Sequence, residues 1–242
     1  MSERTLLVMG ASSDIGIRLI RDTASQFDAV VAHYRTMNDS LTQLQEELGG
    51  KLVLAQADLS KAGDVEAMIA DIKGRGITPS DIVLLPAPQF DHVRFHKMKY
   101  EVFQAGLDIS FRSAVLVTQA FLPAMAKKKQ GHVVFMLSKV ICEPVAKLCA
   151  QYVTVKFALC GLMQALAAEY GPSGIAINGL SPTIVDTKFI SNQPHLIIDG
   201  LVSSGEFCAL GRMLTTEEVS GKIQELLNVD ASQVSGRNFP MG

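Results

Sequence analysis

Short apolar runs alternate with longer amphipathic stretches along this chain, and that alternation limits the possible folds more than any other feature. Apolar runs at residues 5–9, 29–34, 52–56, 81–85, 132–137 and 175–180 read as strands, with a last short one near 238–241. The stretches between them read as helices: 14–26, 40–48, 60–73 with Ser60 as N-cap, 107–127, 151–170 and 216–227. This order predicts an α/β fold, a single doubly wound parallel sheet with helices on both faces. Strands covered on both faces need many apolar residues. The chain supplies them, being 48% hydrophobic and 19% charged over 242 residues, a size that suits one domain spanning 1–242.

Several functional classes are disfavoured. A net charge of −2 gives no reason to expect nucleic acid or an anionic membrane as partner. The four cysteines, Cys142, Cys149, Cys160 and Cys208, lack Cys-x-x-Cys spacing and read as reduced thiols of a cytoplasmic protein. No signal peptide is evident, and no uninterrupted apolar run reaches about 18 residues, so no membrane span is expected. His92 and His96 lie four apart without a third ligand, so no metal is expected.

In doubly wound sheets ligands bind beyond the carboxyl ends of the strands, and the chemistry-bearing residues fall there. Gly10-Ala-Ser-Ser-Asp-Ile-Gly16 joins the first strand to the first helix. Glycines at Gly10 and Gly16 let backbone N–H groups approach a pyrophosphate, and Ser12 and Ser13 add hydroxyls. Asp14 is acceptable beside a diphosphate only if it caps the helix and points outward. The second strand ends in His33-Tyr34-Arg35-Thr36, with no acid before Asp39. Arg35 can fork onto a 2′-phosphate, which favours NADP(H) over NAD(H). Asp58 and Leu59 after the third strand can hold the adenine edge. Tyr152 and Lys156, four apart on a helix, share a face, and the ammonium is expected to lower the phenol's pKa. A phenol so tuned can protonate a carbonyl that Ser138 polarises. Residues 186–212 read as a substrate lid.

These segments together resemble the short-chain dehydrogenase/reductase family over essentially the whole chain. The glycine loop resembles the family's Gly-x-x-x-Gly-x-Gly. Asp108-Ile-Ser-Phe-Arg-Ser-Ala-Val-Leu-Val-Thr-Gln-Ala120 resembles its long interface helix, and Gly131-His-Val-Val-Phe-Met-Leu-Ser138 its serine-ending strand. Ile177-Asn-Gly-Leu-Ser-Pro-Thr-Ile-Val-Asp-Thr187 resembles the segment that closes on the nicotinamide, and Gly236-Arg-Asn-Phe-Pro-Met-Gly242 its last strand. The likeness is greatest to 3-oxoacyl-acyl-carrier-protein reductases. It implies a Rossmann fold and a ketoreductase with catalysis by Ser138, Tyr152 and Lys156, and Ser110 at the position of the family's fourth catalytic residue. It also implies cofactor contacts from Gly10, Ser12, Ser13, Ile15, Gly16, Arg35, Asp58, Leu59, Ala87, Tyr152, Lys156, Pro182, Val185 and Thr187. The implied partners are a small-molecule or carrier-protein-bound acyl substrate and further subunits, as a homotetramer or a hetero-oligomer with a paralogue.

The chain departs from the family's pattern at five places. The spacing from Ser138 to Tyr152 is one residue longer than usual, and the usual count lands on Lys139. Anchoring on the strand selects Ser138, because loops absorb insertions and strands do not. Serine stands at Ser110 where the family has asparagine. Leu85-Pro86-Ala87-Pro88 replaces its Asn-Asn-Ala-Gly, Met9 precedes Gly10 in place of threonine, and Thr183 follows Pro182 in place of glycine. The departures leave open a degenerate, non-catalytic subunit. The basic run Lys127-Lys128-Lys129 suits either a helix dipole or an acidic carrier.

Overall fold

The structure, a computed structural model, describes residues 4–142, 147–191, 193, 195–203, 205 and 208–242. Among them, seven strands form one wholly parallel sheet: β1 (Thr5–Met9), β2 (Ala29–Tyr34), β3 (Leu52–Gln56), β4 (Asp81–Leu84), β5 (Gly131–Met136), β6 (Ile175–Pro182) and β7 (Asn238–Met241). Their order is β3-β2-β1-β4-β5-β6-β7. The chain builds outward from β1 to β3, then crosses back to β4, so a crevice opens above the carboxyl ends of β1 and β4.

Alternation along each strand sends side chains to two cores. Leu7, Met9, Val31 and Ile82 pack on one face, under α3 (Ala62–Gly74) and the long helices described below. Leu6, Val8, Val30 and Val83 pack on the other, under α1 (Asp14–Thr23), α2 (Asp39–Leu48) and α9 (Thr216–Leu226). Side-chain caps start these last three helices. Ser13 Oγ accepts from Gly16 N, Asn38 Oδ1 accepts from Leu41 N, and Thr215 with Glu218 forms a capping box.

Two helix starts differ from expectation. The helix expected to be capped by Ser60 begins at Ala62. Ser60 N and Oγ both donate to Asp58 Oδ1, at 3.0 and 2.7 Å, so a local Asp turn takes the serine away from the helix. The long helix expected from 107 begins at Tyr100. It comprises α4 (Tyr100–Gly106), one π-helical turn (Leu107–Arg112) and α5 (Ser113–Lys128). By length and composition the run Tyr100–Lys128 is apolar enough to cross a membrane, unlike the expectation from uninterrupted apolar runs. Its buried Val117, Phe121, Leu122 and Met125 pack in the sheet's core. Beside it runs α6 (Ala150–Tyr170), followed by β6 and the segment 186–212 expected as a lid, which contains α7 (Lys188–Ser191) and α8 (His195–Ser203). Where irregular chain was expected, helical turns shelter a third cluster around Cys149, Tyr152, Ile184 and Ile198.

Candidate active site

The glycine loop is held from beneath. Gly10 takes φ +79°, a left-handed conformation that glycine adopts without strain. Its N–H donates to His33 Nδ1 at 2.9 Å. Because Nδ1 accepts, the ring proton sits on Nε2, which donates to the Ala57 carbonyl at 3.2 Å. Burial pushes His33 down to about 4, so the ring is neutral and the tautomer is fixed. Gly16 is required by close approach, since a Cβ there would lie 2.7 Å from the carbonyl oxygens of both Gly10 and Ala11. Ser13 Oγ donates to Gly10 O at 2.8 Å, which uses its only proton within the loop. Asp14 does not cap α1, as Ser13 does. Its Oδ2 accepts from Lys188 N at 2.7 Å, which turns the carboxylate toward α7. Asn38 Nδ2 donates to Ser12 O at 2.9 Å and braces the loop from α2.

A single cavity of about 1360 Å³ extends from this loop to α7 and α8. It is lined by Gly10, Ser12, Ser13, Ile15, Arg35, Asp58, Leu59, Ala87, Pro182, Val185 and Thr187, and also by Ser138, Tyr152 and Lys156. The expected contacts therefore share one wall, with two exceptions. Gly16 lies behind the loop as a packing residue. Ser110 donates to the Pro86 carbonyl at 3.1 Å and supports the 85–88 loop from behind, away from the cavity lining. Asp58 accepts from Ser60 Oγ and N through one carboxylate oxygen, and these two bonds lower its pKa, with Lys61 and Arg35 adding smaller effects.

At the carboxyl end of β5 the adjacent Ser138 and Lys139 diverge. Lys139 Nζ donates to the Gly242 carbonyl at 3.0 Å. Ser138 Oγ accepts from Val140 N at 3.4 Å and lies within hydrogen-bonding reach of the Tyr152 phenol. Part of the loop joining them, 143–146, lies outside the described residues. Lys156 is 1% exposed. Its Nζ donates to the Met136 carbonyl at 2.7 Å and lies 5.5 Å from the Tyr152 ring centre. The expected lowering of the tyrosine pKa is overturned. Burial pushes Tyr152 up to about 12, against the opposing effect of Ser138, and pushes Lys156 down to about 7. Desolvation of the charged forms outweighs the proximity of the two groups. The result is a phenol that holds its proton at neutral pH, the state required of a general acid.

Sequence reasoning missed the aromatic clamp on this phenol. Phe90 stacks on Tyr152 with ring centres 4.4 Å apart, and Phe189 of α7 lies 6.4 Å from it. Gln193 Nε2 donates to the Phe90 carbonyl at 3.0 Å, tying the loop after β4 to the segment after α7. An aromatic in a loop carries no periodic signal, so only its neighbours reveal this role. The same holds for His33, whose chemistry was visible but whose target was not. Among the described residues, no group of three metal-ligating side chains is present.

Comparisons with known proteins identify the family and the fold. The family profile described as short chain dehydrogenase matches residues 4–195. The oxidoreductase UcpA of Salmonella typhimurium is 32% identical over 196 residues, covering 77% of this chain and 71% of that protein. Human dehydrogenase/reductase SDR family member 4 is 28% identical over 249 residues, covering 100% of this chain and 87% of that protein. Among solved structures, a short-chain dehydrogenase/reductase from Serratia marcescens superimposes with TM-score 0.84 at 23% identity, covering 98% of this chain and 96% of its own. A structure provisionally named a betaketoacyl-ACP reductase superimposes at 0.82 with 23% identity, covering 98% and 95%. With the glycine loop, the Ser138–Tyr152–Lys156 cluster and a profile match over most of its length, the chain belongs to the short-chain dehydrogenase/reductase family.

Proposed function

We propose that this protein is a cytoplasmic NADPH-dependent ketoreductase that converts a ketone on an acyl chain, such as a 3-oxoacyl thioester, or on a similar small molecule to the alcohol. The observation that carries the reading is one cavity joining the glycine loop to a buried Ser138–Tyr152–Lys156 cluster. The family's oxidoreductases use nicotinamide cofactors, NAD or NADP. The residues present fit such a group. The cavity exceeds the roughly 300–1,000 Å³ of ordinary small-molecule pockets, which leaves room for a dinucleotide with its substrate.

Gly10, Ser12 and Ile15 would face the pyrophosphate, Arg35 the 2′-phosphate, Asp58 and Leu59 the adenine, and Lys156 the nicotinamide ribose. The bound nicotinamide supplies the hydride. Tyr152 donates its proton to the carbonyl oxygen. Ser138 Oγ accepts from Val140 N, which leaves its own proton for that same oxygen. Phe90 and Phe189 hold the phenol and exclude water from it.

The test is NADPH binding followed by NADPH oxidation with a 3-oxoacyl thioester. Arg35→Asp should weaken NADPH binding about tenfold to a hundredfold while changing NADH binding little. A wild type that prefers NADH would overturn the cofactor assignment. NADPH binding without turnover on any ketone would favour a non-catalytic subunit, a reading motivated by Pro86 and Pro88, which offer no backbone N–H to a ligand. Assembly as a tetramer is proposed through α4–α5 and α6, where Tyr100, Val102 and Phe157 are exposed apolar side chains. Light scattering at micromolar concentration showing a monomer would oppose it.

A further inference from the structure

The segment after β6 is fastened to the fold as far as Asp186. Val185 pairs with Leu214, Leu214 N donates to the Ile184 carbonyl at 2.8 Å, and Asp186 N donates to the Leu214 carbonyl at 2.9 Å. Beyond that point α7 runs along the cavity and contributes Lys188, Phe189 and Ile190 to its lining. Phe189 and Ile190 join the apolar cluster around Tyr152, and Gln193 bonds the Phe90 carbonyl. The start of α7 meets the glycine loop instead, through the bond from Lys188 N to Asp14 Oδ2 at 2.7 Å. The first N–H groups of a helix have no partner within it and are ordinarily met by a neighbouring side chain or by water. Here Lys188 N is met by a residue 174 positions away in sequence. Thr187, just before the helix, turns its hydroxyl to the Val185 carbonyl at 3.2 Å. Asp14 can serve α7 because Ser13 already caps α1.

We infer that Asp14 is a positioning residue whose carboxylate clasps the start of α7 to the glycine loop, and that this clasp opens before a dinucleotide leaves the cavity. The inference rests on the proposed cofactor-binding role of that loop and adds the residue that governs cofactor exchange. Asp14 stands between Ser13 and Ile15 in the loop, Lys188 stands between Thr187 and Phe189, and all six line the cavity. The bond therefore joins two parts of the wall around one space. A carboxylate facing a diphosphate is repelled by it, so an acid at this point of the loop is explained by what it holds. An acid in the first turn of α1 also suits that helix's dipole. The dipole leaves the direction of the carboxylate open, whereas a charge-assisted bond to a backbone N–H fixes it. The same short helix carries Phe189, whose ring centre lies 6.4 Å from that of Tyr152. Opening the clasp thus loosens the cover over the phenol as the cofactor departs.

Asp14→Asn and Asp14→Ala separate the bond from the charge. Both remove the negative charge, and only asparagine keeps an oxygen that accepts from Lys188 N. Hydrogen exchange of the Lys188 amide in the cofactor-free protein reads the bond directly. Release of NADPH, followed by its fluorescence after mixing with excess NADP, reads the consequence. Asp14→Ala should exchange that amide and release NADPH about threefold to tenfold faster than Asp14→Asn, the range expected of one hydrogen bond. The amides of α1 should exchange alike in the two variants, which checks that the helix behind the loop is intact. Equal exchange at Lys188 in the two variants would overturn the inference, because Asp14 would then not hold α7. Faster exchange in Asp14→Ala with equal NADPH release would overturn it as well, since α7 would be held there without retaining the cofactor. Both results leave the ketoreductase reading standing. A wild type that binds neither NADPH nor NADH would instead sink that reading and the role in release together, and the exchange comparison would still decide whether Asp14 holds α7.

Discussion

The two edges of the sheet treat buried polar groups in opposite ways. At the amino edge Asp81 is almost wholly buried, and its carboxylate is fully answered. It accepts from Arg4 Nε at 3.0 Å and from Ser80 Oγ at 2.6 Å, and it pairs with His132 Nδ1 at 2.5 Å. Those partners are themselves held, Arg4 by the Leu227 carbonyl at 2.7 Å and His132 by the Val229 carbonyl at 3.1 Å. Although burial opposes ionisation of Asp81, the bonds from His132, Arg4 and Ser80 keep its pKa below the ordinary value. At the carboxyl edge, desolvation prevails at Tyr152 and Lys156, and three polar atoms are left without partners. The same sheet thus uses one edge to fasten β1, β4 and β5 to the segment following α9, and at the other leaves buried polar groups less fully answered. Sites that must bind and react give up stability that the rest of the fold supplies.

The sharpest way to break this comparison lies at the carboxyl edge. Tyr152→Phe should lower turnover by about 10²–10⁴ while NADPH binding stays near wild type, because it removes the proton donor. Ser138→Ala should cost about 10²–10³. Lys139→Ala should be mild, since its ammonium is committed to the Gly242 carbonyl. Steady-state kinetics that instead rank Lys139 above Ser138 would assign the polarising role to the wrong neighbour.

The amino edge should respond in stability and leave chemistry untouched. Asp81→Ala strands the Arg4 guanidinium and the His132 ring and should destabilise the fold by about 2–3 kcal/mol, read by urea denaturation. The KM and kcat of the surviving folded protein should barely move. A large fall in kcat at unchanged stability would mean that the two edges are coupled through the sheet.

The sequence made the sheet legible and the site only partly so. β1 and β2 match their expected limits residue for residue, because a strand buried on both faces is a continuous apolar run bounded by turn residues, and the partly buried edge strands β3 and β7 match as well. Helix starts were less secure. Ser60 could serve either α3 or Asp58, and the competition is settled only in three dimensions. A π-helical turn at Leu107–Arg112 leaves no mark on a pattern read at 3.6 residues per turn. Arg35, Ser138, Tyr152 and Lys156 could be picked out by residue type and position. The direction of the Tyr152 shift was misjudged because spacing reveals a neighbouring charge but not the depth of burial.

Lys156 offers a smaller effect with an unusual sign. Its folded-state pKa of about 7 lies below the ordinary 10.5, so the native protein binds fewer protons than the unfolded chain between those values. The Lys156 contribution should therefore raise wild-type stability as pH increases from about 7 toward 9, above which the buried Cys149 thiol, pushed up to about 11, acts in the opposite direction. Lys156→Met removes the buried amine and should stabilise the fold by about 1–2 kcal/mol at neutral pH, while abolishing turnover and flattening that rise. Thermal denaturation across the window checks both parts. Destabilisation at neutral pH would show that the bond to the Met136 carbonyl outweighs desolvation.

The smallest effect tests whether the carboxyl edge is also the first part to loosen in acid. His33 is neutral in the fold, with a pKa of about 4 against an ordinary 6.5. As pH falls below 6.5 the unfolded chain takes up a proton that the native state refuses, so stability should decline down to about 4. The contribution is about 1 kcal/mol over the first pH unit. His92, also held below its ordinary value by burial, acts in the same direction. The depressed carboxylates of Asp81, Asp58 and Glu218 act lower, as pH falls through their own folded-state values. His33→Gln cannot titrate, so the difference between its pH profile and the wild type's isolates this ring. The wild type should also lose NADPH affinity in the same window, because protonation of Nδ1 removes the acceptor that holds Gly10 N–H. If stability declines with pH as expected while NADPH affinity stays constant, the His33–Gly10 bond supports the fold and not the loop's fit to the dinucleotide.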